Sequence, residues 1–182
     1  MIISRDKSLL CPAFAGRLVI FERRLQEASL PFFMFMGLRI REDQEELWNQ
    51  GRTTPGPPCR HGGILFPIGT CQKHPLGLTV TNARAGDSMH QYALAADYVR
   101  DGDTGKPGIQ WSWAEADEDH DHVSDWLEMG TIAEECGLEW GGRWRRFPDR
   151  PHVQMTFGLT LADIKELYRQ GGVKRVWEEC RI

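Results

Sequence analysis

"SMHQYALAAD", residues 88–97, sets a histidine seven positions before an aspartate, with Ala93, Leu94, Ala95 and Ala96 between them. A carboxylate carried into such apolar company is costly unless it is paired or bound to a metal. The apolar run reads as a strand, "LAADYV" over 94–99. Side chains seven apart on a straight strand face opposite ways. His90 and Asp97 therefore converge only if His90 sits on a turn before the strand, and "AGDSMHQ" offers that turn through Gly86, Asp87 and Ser88.

Outward from this stretch the chain alternates elements without a regular strand–helix–strand rhythm. Pro12 suits the first turn of a helix, and Phe14, Leu18, Phe21 and Leu25 then mark one apolar face. "PFFMFMGLRI" (31–40) reads as a buried strand ending near Gly37, and "EDQEELWNQG" as a short helix with Gly51 just beyond it. "LTVTN" (78–82) is expected to be a strand from its β-branched alternation. In "HVSDWLEMGTIAEECG", Trp126, Met129, Ala133 and Cys136 fall on one helical face, with Gly137 closing the end. "HVQM" (152–155) is a further strand. Thr160 and Asp163 form a capping-box pair opening the helix "LADIKELYRQ". The order favours an α+β fold in one domain over residues 1–182, with no linker or repeat.

The bulk numbers are those of an ordinary globular chain. It has 182 residues, 41% of them hydrophobic and 26% charged, with a formal net charge of −4. That balance gives no reason to expect nucleic acid as a partner. Residues 115–128 hold seven acids and no Lys or Arg, and "DEDHDH" within them reads as a solvated acidic loop more than a metal site. Residues 141–150 hold four arginines, a candidate positive rim for an anionic substrate. No stretch resembles a signal peptide or a membrane span, so no membrane insertion is expected. Delivery outside the cytoplasm would need release or export by another factor. The five cysteines, an odd number, argue against a full disulfide framework.

Two ligands do not complete a catalytic zinc site, which usually takes three and leaves a position for water. His152 in "FPDRPHVQM" is the third candidate, since Pro151 extends the backbone before it. Asp149 is the natural carboxylate to take a proton from an attacking water, and Arg84 a cation for the oxyanion. Spacing alone leaves other readings open. His-x6-Asp recurs by chance, and a single histidine is more often a satisfied core or surface residue than a ligand.

Three segments go further than spacing. "VTNARAGDSMH", "GLRIREDQEELWNQGRTTPG" and "GLEWGGRWRRFPDRPHVQM" resemble the matching motifs of the zinc peptidases that include D-alanyl-D-alanine carboxypeptidases and L-alanyl-D-glutamate endopeptidases. The resemblance covers about residues 5–158 and leaves 159–182 as C-terminal helical segments. "QGRTTPG" and "EWGG" are similar to the L-alanyl-D-glutamate branch, found in phage endolysins and bacterial wall enzymes. The resemblance implies a small central antiparallel sheet flanked by helices, of the hedgehog/D,D-peptidase type. It implies one catalytic zinc on His90, Asp97 and His152, Asp149 as base, and Arg84 polarising the substrate carbonyl. Ser88 is expected to shape the turn or support the ligands. Trp140 and Trp144 are candidates to line a substrate groove and Tyr92 to reach substrate, with packing as the alternative for Trp140 and Tyr92. The implied substrate is bacterial peptidoglycan, cut by a monomer at the L-Ala–D-Glu bond of the stem peptide. Alternatives are a D-alanyl-D-alanine carboxypeptidase and a metal-containing binding module without catalysis, to which Asp149 and Arg84 would be of no use.

Two departures from the family pattern stand out. Ala93 occupies a position usually held by glycine, which matters only if the backbone there needs a positive φ. The Gly- and Pro-rich loop 51–77 looks longer than usual and carries Cys59, His61, Cys71 and His74. These four fit a second, structural zinc, a Cys59–Cys71 disulfide, or unrelated surface residues.

Overall fold

The computed structural model describes residues 4–61, 64–101, 117 and 120–181; the side chains of Arg60 and His61 lie outside the described set. Expectations for most of the polar stretch 101–121 fall outside it as well. Over the described residues the contacts divide the chain into two compact units, one holding residues 39–91 and the other residues 4–38 together with those from 92 onward.

The larger unit is built on an antiparallel sheet of four strands: β1 (Phe32–Met36), β4 (Ala95–Arg100), β6 (His152–Gln154) and β5 (Glu139–Trp140), in that spatial order. Helix α1 (Pro12–Glu27) begins at its proline and buries Phe14, Leu18, Phe21 and Leu25, the stripe its spacing marked. Phe21 meets the Tyr98 ring of β4 edge-on at 5.0 Å. The Tyr98 hydroxyl donates to Glu22 at 2.8 Å. Burial first, and then the Glu22 carboxylate, push the Tyr98 phenol well above its ordinary pKa. Helix α3 (Asp125–Glu135) sets Trp126 against Phe32 at 4.8 Å. Helix α4 (Leu161–Glu179) opens on the Thr160–Asp163 capping box and bends at Gly171–Gly172. The fold is α+β, as the element order implied, with the central antiparallel sheet and flanking helices that the resemblance implied.

The smaller unit holds helix α2 (Arg41–Asn49) and a hairpin of β2 (Cys59–His61) and β3 (Ile64–Phe66). Its organising residue is Gln44, which is fully buried. The Gln44 amide donates to the Ala83 carbonyl at 2.7 Å and its oxygen accepts from Arg39 at 2.9 Å. The ends of the unit also meet, where the Arg39 N–H donates to the His90 carbonyl at 3.2 Å.

Three expectations need correction. Residues 78–82 are not a strand. The Leu78 N–H bonds to the Pro57 carbonyl at 2.8 Å, and the Thr81 hydroxyl accepts from the Ala83 N–H. A proline can accept but has no N–H to return, so no ladder can grow there. Residues 51–77 are not all loop, because they contain the β2–β3 hairpin. Strand β5, two residues long, was not expected at all. No helix among the described residues is long and apolar enough to cross a membrane.

Candidate functional site

Antiparallel pairing of β4 with β6 puts Asp97 directly opposite His152. Directly opposed residues project from the same face of a sheet, so the register alone joins a carboxylate and an imidazole 55 residues apart in sequence. His90 comes from the 3-10 turn Met89–Tyr92, which runs through Ala93 and Leu94 into β4. Ala93 takes φ +59 to make that bend. The methyl group standing where relatives of this motif carry glycine is therefore held in the left-handed region, at a cost of roughly 1–2 kcal/mol. Donor atoms of His90, Asp97 and His152 all lie within 4.8 Å of one another, and all three residues are buried.

Hydrogen bonds around His152 orient its ring. Glu139 only accepts when ionised, so Gln154 turns its NH2 group to Glu139 at 2.8 Å. The Gln154 oxygen then faces His152 Nε2 at 3.0 Å and takes that N–H. Nδ1 is left facing Asp97 Oδ1 at 3.3 Å. Two acceptors facing each other need a cation between them, either a proton on Nδ1 or a metal ion. Burial works against a charged ring, but Asp97, Asp149 and Gln154 outweigh it and hold the His152 pKa above its ordinary value. Two imidazoles and one carboxylate also form the donor set of an open zinc site, so the residues fit the metal that the sequence resemblance implies.

Glu139 also accepts the Trp144 indole N–H at 2.7 Å, and the Trp144 ring packs 5.0 Å from the His152 ring. Glu139, Gln154 and Trp144 thus form the support behind His152, which residue-by-residue reading missed. The available signal was period two: Gln154 follows His152 by two positions on one strand. Partners of this kind behind a ligating histidine are typically worth 10–100-fold in metal affinity. Gln154→Ala should weaken zinc binding by about that factor with little change in fold, read by competition with a chromophoric chelator.

Asp149 is carried by the turn between the 3-10 segment Gly141–Arg143 and β6. Its N–H donates to the Gly141 carbonyl at 2.9 Å, and its own carbonyl accepts from the His152 N–H at 3.2 Å. A Cβ on Gly141 would lie 2.6 Å from the Asp149 carbonyl oxygen and 3.1 Å from the His152 Cβ. A Cβ on Gly142 would lie 2.1 Å from the Trp140 ring. The "EWGG" sequence is therefore a packing requirement: its first glycine lets the Asp149–His152 turn close, and its second seats the indole.

The remaining candidates fall in different places. Trp140 is buried and its indole donates to the Arg150 carbonyl at 2.7 Å, the packing alternative raised from sequence. Tyr92 is buried against Tyr168 at 5.4 Å, and its carbonyl accepts from Trp177. Ser88 is buried, and its carbonyl accepts from the Gln91 N–H within the turn. Arg84 lies in the smaller unit, exposed, with its guanidinium over the Trp48 ring at 4.8 Å. Of the expected positive rim, Arg143 is paired with Glu134. No candidate metal group among the described residues includes the 117–122 acids and histidines. Cys59, Cys71 and His74 do form such a group; the His61 side chain lies outside the described residues.

Comparison with known proteins bears on the same residues. Residues 81–155 match the family model described as D-alanyl-D-alanine carboxypeptidase. The matched segment covers less than half of the chain. It contains His90, Asp97 and His152 together with Arg84, Asp149, Glu139 and Gln154. Over 119 residues, 65% of its length, the chain is 39% identical to the peptidoglycan L-alanyl-D-glutamate endopeptidase CwlK of Bacillus subtilis strain 168. The chain spans 57% of the length of CwlK. The crystal structure of the Serratia marcescens L-Ala D-Glu endopeptidase ChiX aligns over 84% of each chain, at 23% identity and a TM-score of 0.46.

Proposed function

We propose that the chain is a zinc-dependent peptidase of peptidoglycan stem peptides, acting as an endolysin or wall-remodelling enzyme at the L-Ala–D-Glu bond. The observation that carries this reading is the buried convergence of His90, Asp97 and His152 inside the family-matched segment. The name of CwlK supports the choice of bond. The description of the family model keeps D-alanyl-D-alanine carboxypeptidase as the second reading.

His90, Asp97 and His152 would hold the zinc. Once bound, the ion would supply Lewis-acid activation of water and carbonyl near neutral pH. Asp149 then has the general-base role. It takes a proton from the attacking water and delivers one to the departing amine nitrogen, as a single positioned carboxylate can do in both directions. Arg84 is assigned to the oxygen of the L-Ala carbonyl as negative charge develops there. The enzyme would work as a monomer on the wall, after release or export by another factor.

Asp149→Asn separates base from ligand. The variant should keep one zinc at the His–Asp–His site and lose turnover by about 10²-fold or more, the usual scale for a general base. Zinc analysis and turnover on purified peptidoglycan measure both quantities. Loss of that zinc from the variant would make Asp149 a ligand and refute its assignment as base.

A further inference from the structure

Among the described residues, the long loop of the smaller unit buries few apolar side chains. Among described residues 51–80, the buried ones are Cys59, Cys71 and Gly77. Ile64, Leu65, Ile68 and Leu78, which would ordinarily form a core, are 37–64% exposed. Backbone ordering costs about 1–2 kcal/mol per residue, and burial of apolar side chains does not offset it here. Small units without an adequate core are held by disulfides or metals.

The two buried thiols sit where such a staple would go. Cys59 opens β2, and Cys71 and His74 occupy the turn that follows β3. That turn is shaped by bonds from the Thr70 N–H to the Pro67 carbonyl and from the Gly77 N–H to the His74 carbonyl. Cys71 Sγ lies 3.9 Å from His74 Nδ1. Donor atoms of Cys59, Cys71 and His74 all lie within 4.8 Å of one another, and no disulfide joins the two cysteines. A disulfide would have no use for the imidazole that converges with the sulfurs. Two soft thiolates and one histidine nitrogen are a donor set that selects zinc over hard divalent cations.

We propose that Cys59, Cys71 and His74 bind a structural zinc ion that clamps the β2–β3 hairpin to the following turn. Binding ties the start of β2 to a turn 12 residues later and displaces both thiol protons to solvent. It does not depend on the His90–Asp97–His152 reading, which involves no sulfur.

Cobalt titration of the metal-free, reduced full-length protein tests the proposal. Wild type should develop sulfur-to-cobalt charge-transfer absorption whose final amplitude corresponds to one cobalt, the equivalent taken by the His–Asp–His site adding none. His90→Ala should keep that absorption, and Cys71→Ser should lose it together with one equivalent of zinc from the zinc-loaded protein. His74→Ala should shift the absorption, because one nitrogen donor is exchanged. Three results would each overturn the clamp. One is wild-type protein that binds cobalt without thiolate absorption. Another is zinc-loaded protein in which Cys59 and Cys71 alkylate as fast as in the metal-free form. The third is protein quenched during purification whose mass shows those two cysteines joined.

Discussion

His152→Ala should leave the His–Asp–His site without zinc and reduce peptidoglycan hydrolysis to background. On the proposed reading His152 supplies one of three donors, and two remaining ligands would not make a stable open zinc site. The loss also reaches Asp97. With the ring gone, its carboxylate faces a cavity, with a side-chain exposure of only 12%. Removing one partner of a buried ion pair costs about 3–5 kcal/mol. A lower melting temperature is therefore expected alongside the lost metal. Gln154→Ala separates the two effects, since it loosens the support of the ring while leaving both ligands in place. Full hydrolytic activity of His152→Ala, with its fold intact, would remove His152 from the mechanism.

A stability effect of the same size is expected well away from the chemistry, at Asp125. This residue is fully buried at the first position of α3, and its carboxylate meets Arg100 Nε at 3.1 Å. Arg100 ends β4 and is 8% exposed. The pair fixes the strand that carries Asp97 to the helix that packs Trp126 on Phe32. Asp125→Ala removes one partner of this buried ion pair and should cost about 3–5 kcal/mol. That is a large share of the roughly 5–15 kcal/mol typical of a domain. Urea unfolding should show a lower midpoint at unchanged slope. The double change Arg100→Met/Asp125→Leu should be milder, since it removes both charges and keeps volume. An Asp125→Ala cost below about 1 kcal/mol would mean that the pair is not the tie described.

The parts of the fold that were legible in sequence were those with a long period or a strong cap. The four-residue stripe of α1, the β4 run and the Thr160–Asp163 box each carry a signal several residues wide. Strand β5 and the hairpin carry almost none. Two residues cannot show alternation, and in "RHGGIL" the Gly-Gly hairpin signal was masked by the surrounding glycines and prolines. The false strand at 78–82 had the right residues but, as its neighbour, a proline loop unable to complete a ladder. At the site, motif resemblance pointed to His90, Asp97 and His152, and the strand register explains why Asp97 and His152 meet. The Glu139–Gln154 support was not legible, because it depends on β5 lying beside β6, and β5 itself was invisible. Gln44 was quoted within a motif, but its role needed the Ala83 carbonyl, 39 residues away.

Mass spectrometry of peptidoglycan digested by the zinc-loaded protein tests the central claim most directly. The account predicts stem-peptide fragments with a new N-terminal D-Glu, produced by the zinc-loaded protein and absent after chelation. Release of free D-Ala with the L-Ala–D-Glu bond intact would contradict the assigned bond, and the same D-Glu fragments from protein stripped of metal would contradict the metal centre.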